Sequence, residues 1–360
     1  MILDMAAPSR IVINAVMTSV SDILGIYPRQ AIADLIAAGH VRADAPFEDG
    51  QLQPASLDLR LGATAYRLRA SFLPGKTRTV KSCLDNTQRG LVLTQIDLTA
   101  GAVLETGCVY LVPLQEALNL PGGLSASANP KSSTGRLDVF TRVITDHGEQ
   151  FDQIKDGYDG LLYVEIAPRT YPVLAKQGER LVQIRFRAGA PEFLRALTVS
   201  IDLTGFGNDG IVGYRARRHA GLVDLAGRDH AADDFWEPLR ARHGMLILDP
   251  DEFYILASKE AVAIGLNEAA EMAPVALEMG EFRAHYAGFF DPGFGLDSAG
   301  GAGSRAVLEV RGRDVPFILE DGQPVAKLLF ERMTDAPDIL YGEGGSHYQA
   351  QGLRLSKHFV

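Results

Sequence analysis

The chain has 360 residues, enough for two domains, and its 46% hydrophobic and 22% charged residues are typical of a globular protein. A formal net charge of −10 argues against a general nucleic-acid-binding protein, which carries a basic surface, so we expect no nucleic-acid partner. A small anionic ligand is compatible with this net charge, because a local cationic pocket can exist on an acidic protein.

Cysteine content and apolar runs indicate the compartment. Cys83 and Cys108 have no metal-type spacing, so we expect no disulfide framework and a reducing cytoplasm. No apolar run approaches the ~18 residues of a membrane span. Asp4 precedes the apolar stretch Ile11–Met17, and no signal-peptide cleavage site follows. We therefore expect neither export nor membrane association.

A helix is predicted to begin at Pro28, with Ile32, Leu35 and Ile36 on one apolar face and Gly39 at its end. Further along, Leu57, Leu59 and Leu61 alternate with Asp58 and Arg60. This period of two predicts a half-buried strand whose polar face carries Asp58 and Arg60 in solvent.

Short strands separated by turns follow between about residues 91 and 187. Turn signals lie at Asn119–Gly123, Asp156-Gly157 and Gln177-Gly178. The pattern predicts a mainly β fold, a sandwich or jelly roll with a few short helices. The strand candidates are Leu91–Leu93, Val109–Val112, Leu161–Ile166 and Leu181–Phe186.

The sequence repeats itself at an offset of 144 residues. Ser56–Leu59 recurs as Ser200–Leu203. The single residues that recur are Tyr110, Pro130, Glu165, Pro172, Gly178 and Phe186, as Tyr254, Pro274, Glu309, Pro316, Gly322 and Phe330. A run of matches at one offset predicts two copies of one β domain. We place the first copy at residues 1–190 and the second copy at residues 191–360.

Hydroxyl and cationic side chains cluster after the position of Pro130. Ser132 and Ser133 can donate hydrogen bonds, Lys131 and Arg136 supply positive charge, and Gly135 permits close backbone approach. The cluster predicts an anion site; the alternative is an ordinary polar turn. In the second copy, Val275–Leu277 and Gly280 occupy the equivalent positions. This asymmetry favours a ligand in the first copy.

The tail from Tyr341 to Gly352 is rich in glycine and poor in apolar residues. It predicts a lid that orders on a ligand, with a disordered end as the alternative.

Four stretches together resemble the dCTP deaminase family, a branch of the trimeric dUTPase-like β fold, in a long form with two fused copies. Ser56–Gly62 is similar to the family's S-x-D-[VL]-R-L-G strand, and Lys131–Leu137 to its R-S-S-x-x-R-L motif. Asp156–Glu165 is similar to P-G-W-x-G-x-x-x-x-E, and His347–Gly352 to the closing lid. The fold implied is two tandem dUTPase-like distorted jelly-roll or β-barrel domains.

The resemblance implies hydrolytic deamination of dCTP to dUTP and ammonia without zinc. The residues agree, because zinc deaminases need an H-x-E followed by a P-C-x-x-C motif, and no P-C-x-x-C occurs in this sequence. Magnesium would bind through the substrate triphosphate, so no protein metal ligands are expected. The implied partners are dCTP and dUTP, and the implied assembly is a homotrimer.

The same resemblance implies catalytic and binding roles for individual residues. Glu165, between apolar Val164 and Ile166, would be the general base and acid, because desolvation raises the pKa of a carboxyl. Ser132 and Arg136 would hold the water and the pyrimidine. The nucleotide-binding residues implied are Lys131, Ser132, Ser133, Thr145, Asp291, Tyr341, Tyr348 and Gln351.

Departures from the family pattern leave the catalytic carboxylate open. Lys131 replaces an arginine, and the hairpin Thr145–Asp152 lacks the family's Asp-Pro, which the second copy keeps at Asp291-Pro292 together with Glu309. A ring with strict three-fold symmetry cannot mix two kinds of copy evenly, so first copies should contact first copies. This contact would bring Glu165 to Ser132 and Arg136. It favours Glu165 over Glu309 as the catalytic carboxylate and a second copy that is mainly structural.

Two other functions remain open. One is a dUTP diphosphatase or a bifunctional enzyme, with Asp146, Asp152 or Asp291 activating water. The other is a non-catalytic nucleotide-binding trimer.

Overall fold

The computed structural model describes residues 24–206, 209–274, 282–285, 288–301, 303–343 and 348–360. Three sequence-based expectations involve residues outside these ranges: the arm expected from the weakly patterned residues 1–26, the comparison of Lys131–Ser133 with Val275–Leu277, and the part of the lid that contains His347.

Short strands build both copies. The first copy contains β1 (Gly25–Ile26), β2 (Val41–Ala43), β3 (Leu57–Arg60), β4 (Thr64–Leu68), β5 (Val92–Asp97), β6 (Ala102–Leu104), β7 (Val109–Asn119), β8 (Leu124–Pro130), β9 (Val139–Thr145), β10 (Gln153–Ile154), β11 (Asp159–Pro168), β12 (Val173–Ala175) and β13 (Arg180–Ala188). The second copy contains β14 (Phe193–Ser200), β15 (Gly213–Ala216), β16 (Val223–Asp224), β17 (Trp236–Leu239), β18 (Met245–Leu248), β19 (Phe253–Ala261), β20 (Glu268–Pro274), β21 (Phe282–His285), β22 (Phe289–Phe290), β23 (Arg305–Gly312), β24 (Phe317–Glu320) and β25 (Pro324–Arg332).

Helices in the described ranges are few and short. They are α1 (Arg29–Ala37), α2 (Val80–Leu84), α3 (Ser132–Gly135) and α4 (Ala232–Phe235), with single 3-10 turns at Thr87–Arg89 and Asp297–Ala299. The mainly β fold with few short helices is therefore confirmed. The helix expected after Pro28 is also present, with Ile32 and Leu35 buried and Gly39 at a positive φ of 77° beyond its end.

The sheets repeat between the copies. In the first copy the strand orders are β1-β13-β8-β10, with β3 also on β13, and β5-β4-β7-β11-β9, with β2 also on β7. In the second copy they are β14-β25-β20-β22 and β17-β15-β19-β23-β21. The smaller sheets are β16-β12-β6 and β18-β24. β20 and β25 begin and end 144 residues after β8 and β13, so the sequence repeat corresponds to equivalent strands.

Two hydrophobic cores follow the repeat. One is centred on the first copy and includes Leu57, Val164 and Phe186, but it extends to Trp236 and Phe253 of the second copy. The other lies entirely within the second copy. The shared part of the first core holds the copies together, because apolar side chains from both are removed from water there.

The polar side of β3 is not solvated, which makes that expectation wrong. Asp58 and Arg60 are each only 1% exposed. Arg60 Nε donates to Glu116 Oε1 at 2.7 Å, and its terminal nitrogens donate to the carbonyl oxygens of Pro46 and Ala45 at 2.7 and 3.0 Å. The segment before β3 therefore covers the strand, a long-range contact that alternation along the strand does not reveal.

We expect Arg60→Met to lower the free energy of unfolding by about 3–5 kcal/mol, because it leaves the Glu116 carboxylate buried and unpaired. The matched variant is Arg42→Met, which removes an exposed ion pair with Asp159 and should cost less than about 1 kcal/mol. Denaturant unfolding measures both. Equal small losses in the two variants would contradict the assignment of a buried pair.

Among the described residues, no helix combines the length and apolar character that crossing a membrane requires.

Candidate nucleotide site

A cavity of about 680 Å³ lies between the two copies. This volume is within the range of small-molecule sites. The predicted site residues that line it are Lys131, Ser132, Ser133 and Arg136 of the first copy and Asp291, Glu309, Tyr341, Tyr348 and Gln351 of the second. The structure thus brings together nine of the residues that the sequence singled out.

The anion motif forms a turn of helix rather than an irregular loop. β8 ends at Pro130, and Lys131 has an extended backbone immediately before α3. The Thr134 hydroxyl donates to Leu181 O at 2.9 Å, and Ser356 Oγ donates to Ser133 O at 2.8 Å. These two bonds tie the turn to β13 and to the C-terminal tail, which fixes how Lys131 and the serines face the cavity.

Several cationic side chains line the cavity. Lys131 pairs with Asp58, whose other carboxylate oxygen is buried and has no hydrogen-bond partner among the described residues. Sequence reasoning missed four further cationic side chains in the lining, namely Arg29, Arg180, Arg228 and Lys357. Burial, with Lys131 and Arg228 nearby, lowers the pKa of Lys357 to about 8. These four residues lie far apart in the sequence, so they form no motif from which their place in the cavity could be predicted.

Arg136 connects the first copy to the tail and to Glu309. Its terminal nitrogens donate to Gln351 Oε1 at 3.1 Å and to Arg354 O at 3.0 Å. Its guanidinium carbon lies 3.9 Å from the centre of the Tyr348 ring. The buried Nε has no hydrogen-bond partner among the described residues and lies 3.9 Å from Glu309 Oε1. One donor therefore stays available beside the carboxyl.

Glu309 is in the middle of β23, between β19 and β21, and only 4% of it is exposed. Burial raises its pKa to about 8, although the nearby Arg136 charge acts in the opposite direction. At neutral pH the carboxyl is therefore mainly protonated and can first donate and then accept a proton.

Glu165 lies elsewhere. Its Oε1 is 2.6 Å from Arg142 Nη2, and the Arg142 guanidinium stacks on Phe151 at 3.6 Å from the ring centre. Neither Glu165 nor Thr145 lines the cavity. The expected grouping of Glu165 with Ser132 and Arg136 is not found within this chain, because the second copy packs with β23 towards α3.

The second copy also supplies a wall of the cavity, so it is not mainly structural there. The loop after β22 begins at Asp291, and Gln349 holds it by donating to Gly293 O at 2.9 Å and accepting from Gly295 N at 3.0 Å. Gly295 has a φ of 70°, and a Cβ there would lie 1.8 Å from Val262 O. Only glycine fits this approach.

Within the described ranges, no group of three or more His, Cys, Asp or Glu side chains is arranged to hold a metal ion.

Known proteins match both halves of the chain. The family model for the N-terminal domain of 2'-deoxycytidine 5'-triphosphate deaminase matches residues 23–190, and the model for the C-terminal domain matches residues 176–359. A crystal structure of 2'-deoxycytidine 5'-triphosphate deaminase from Agrobacterium tumefaciens is 53% identical, with a TM-score of 0.82 over 86% of this chain and 99% of that chain.

The curated relatives match shorter parts of this chain. A "dCTP deaminase, dUMP-forming" from Methanoculleus marisnigri is 37% identical over 108 residues, which are 30% of this chain and 54% of the relative. The chain thus spans about half the length of that relative. Another with the same name, from Beutenbergia cavernae, is 29% identical over 42% of this chain and 73% of its own. The two family models and the structural match show that the chain belongs to the dCTP deaminase family of enzymes.

Proposed function

We propose that this protein hydrolyses dCTP to dUTP and ammonia in the cavity between its two copies, with Glu309 as the proton-transfer group. The observation that carries the proposal is the convergence of Glu309 from one copy with Ser132 and Arg136 from the other. Glu165 was the favoured candidate on symmetry, but its ion pair with Arg142 outside the cavity supports Glu309 instead.

The proposed steps return Glu309 to its starting form. The protonated carboxyl donates to N3 of cytosine, and the resulting carboxylate takes a proton from water as the oxygen attacks C4. Glu309 then donates this proton to the amine, which leaves as ammonia. It finally takes the hydroxyl proton as the C4 carbonyl forms.

Side chains of the first copy would orient the reactants. Arg136 Nε, which has no hydrogen-bond partner among the described residues, would donate to the attacking water, and Ser132 lines the same cavity. Lys131, Ser133 and Lys357 would bind the triphosphate.

Tyr341, Tyr348 and Gln351 would close over the triphosphate, and Asp291 would bind the nucleoside. Magnesium would arrive with the triphosphate, where it neutralises phosphate charge. The Asp58 oxygen that has no hydrogen-bond partner within the described ranges suits a water of the hydration shell of that ion. We propose that no zinc takes part, because the sequence lacks the P-C-x-x-C motif that supplies the cysteine ligands of zinc deaminases.

Product analysis tests the function. Purified protein with dCTP and magnesium should release one ammonia for each dUTP formed, measured by ion-exchange chromatography and an ammonia assay. Binding of dCTP without ammonia release would contradict the enzyme and favour the non-catalytic alternative.

A bifunctional enzyme that goes on to dUMP and diphosphate is the second candidate. It is favoured by the dUMP-forming relatives and by Glu179 in the cavity lining. Burial raises the pKa of Glu179 to about 7, and one of its buried oxygens has no hydrogen-bond partner among the described residues. Of the carboxylates first considered for this step, Asp291 lines the cavity, whereas Asp146 and Asp152 do not. The same chromatography separates dUMP from dUTP.

We also propose the homotrimer, in which each chain would carry its own cavity between its two copies. Sedimentation equilibrium measures the assembly, and a mass other than three chains would contradict it.

A further inference from the structure

β13 carries two buried arginines whose side chains contact the second copy. Arg185 is only 2% exposed, and its Nη2 lies 2.7 Å from Asp291 Oδ1. Arg187 pairs with Glu331 through a contact of 2.8 Å. Burying a guanidinium is costly unless it is paired and hydrogen-bonded, so the partners of each arginine indicate what it holds.

Arg185 holds the strands from which the Asp291 loop departs. It donates to the carbonyl oxygens of Ala270 on β20 at 3.2 Å and of Ala55, before β3, at 3.3 Å. Its guanidinium carbon lies 4.0 Å from the centre of the Phe289 ring on β22. This side chain of the first copy therefore fixes the position of the second copy's Asp291.

Arg185 also opposes the effect of burial on the pKa of Asp291. Burial raises the pKa of Asp291, and the Asp58 carboxylate on β3 acts in the same direction. Arg185 and the backbone N–H of Ala55 lower it. Among these groups, Arg185 is the cation that favours the ionised, hydrogen-bond-accepting form.

The second copy has no arginine at the position equivalent to Arg185. The residue 144 positions after Arg185 is Leu329, on β25, which has no charge to offer. Asp291 lines the cavity, whereas neither Arg187 nor Glu331 does.

We propose that Arg185 is a positioning residue for the nucleotide: through its ion pair it aims Asp291 into the cavity, so that the first copy determines how tightly the second copy binds the ligand. The inference rests on the proposed function for the identity of that ligand.

The test compares Arg185→Met and Arg185→Lys with Arg187→Met, the matched loss of a buried ion pair two residues along the same strand. Calorimetry gives Kd for dCTP with magnesium, and kinetics give KM and kcat. Arg185→Met should raise Kd and KM at least about tenfold, with a smaller change in kcat. Arg185→Lys, which keeps the charge, and Arg187→Met should stay within about threefold of wild type.

The pH dependence separates positioning from general damage. Arg185 lowers the pKa of Asp291, so without it Asp291 requires a higher pH to ionise. The ratio of the Arg185→Met Kd to the wild-type Kd should therefore shrink as the pH rises. Groups that titrate in both proteins cancel in this ratio. A ratio that does not change with pH would overturn the role of the ion pair.

A double-mutant cycle keeps the test valid if Arg185→Met fails to fold. Asp291→Asn removes the buried charge, and Arg185→Met added to it should raise Kd no further. A further increase, or equal increases in Arg185→Met and Arg187→Met, would overturn the proposal. Wild-type protein that binds dCTP without turnover would overturn the proposed function alone, and the Kd comparison would still decide the role of Arg185.

Discussion

Glu309→Gln should lower kcat for dCTP deamination by at least about a hundredfold, because the amide cannot pass protons between water, N3 and the leaving amine. The protein should remain folded. Burial raises the pKa of Glu309 to about 8, so the neutral amide replaces a carboxyl that is already mainly uncharged at pH 7. Ammonia release under saturating dCTP measures the loss, and thermal unfolding checks the fold.

The matched variant is Glu165→Gln, at the equivalent position of the first copy. Its carboxylate pairs with Arg142 outside the cavity, so kcat should change by less than about threefold. If Glu165→Gln were the inactive variant, Glu165 and not Glu309 would carry the proton transfer, and the site would require a neighbouring chain.

Arg136→Met should lower kcat/KM by at least about a hundredfold, since it removes a preorganised donor and the contacts to Gln351 and Tyr348. Its control is Arg142→Met, which removes the guanidinium beside Glu165 and should leave kcat/KM within about threefold. Equal losses in the two variants would indicate a general effect on folding instead.

Arg136→Met should also change the pH profile of kcat. The Arg136 charge lowers the pKa of Glu309, so its removal raises that pKa above about 8. The donating form is the protonated carboxyl, so activity falls as pH rises through this pKa. The fall should move to higher pH in Arg136→Met. Lys357 titrates near the same pH in both proteins, so the difference between the profiles reports on Glu309. Superimposed profiles would contradict the electrostatic contact.

The sequence predicted the strands and their repetition well, because alternation and turn residues are local signals. It also identified nine of the residues that line the cavity. It favoured Glu165 over Glu309 on a symmetry argument alone, because the two residues have similar apolar strand contexts. The choice depends on packing between the copies, which places Arg136 within 3.9 Å of Glu309 and leaves Glu165 to Arg142. The burial of Asp58 and Arg60 escaped prediction because their contacts with Lys131 and with the segment before β3 leave no trace in the alternation along the strand.

The ion pair between Arg187 and Glu331 joins positions that are 144 residues apart and therefore equivalent in the two copies. If two identical domains met in this way, they would bring together two arginines or two glutamates, and like charges in a buried contact repel. The present contact thus became possible only after the duplicated halves had diverged at this position. A hybrid chain built from two first copies would place an arginine opposite an arginine at this contact and should not reproduce the pairing.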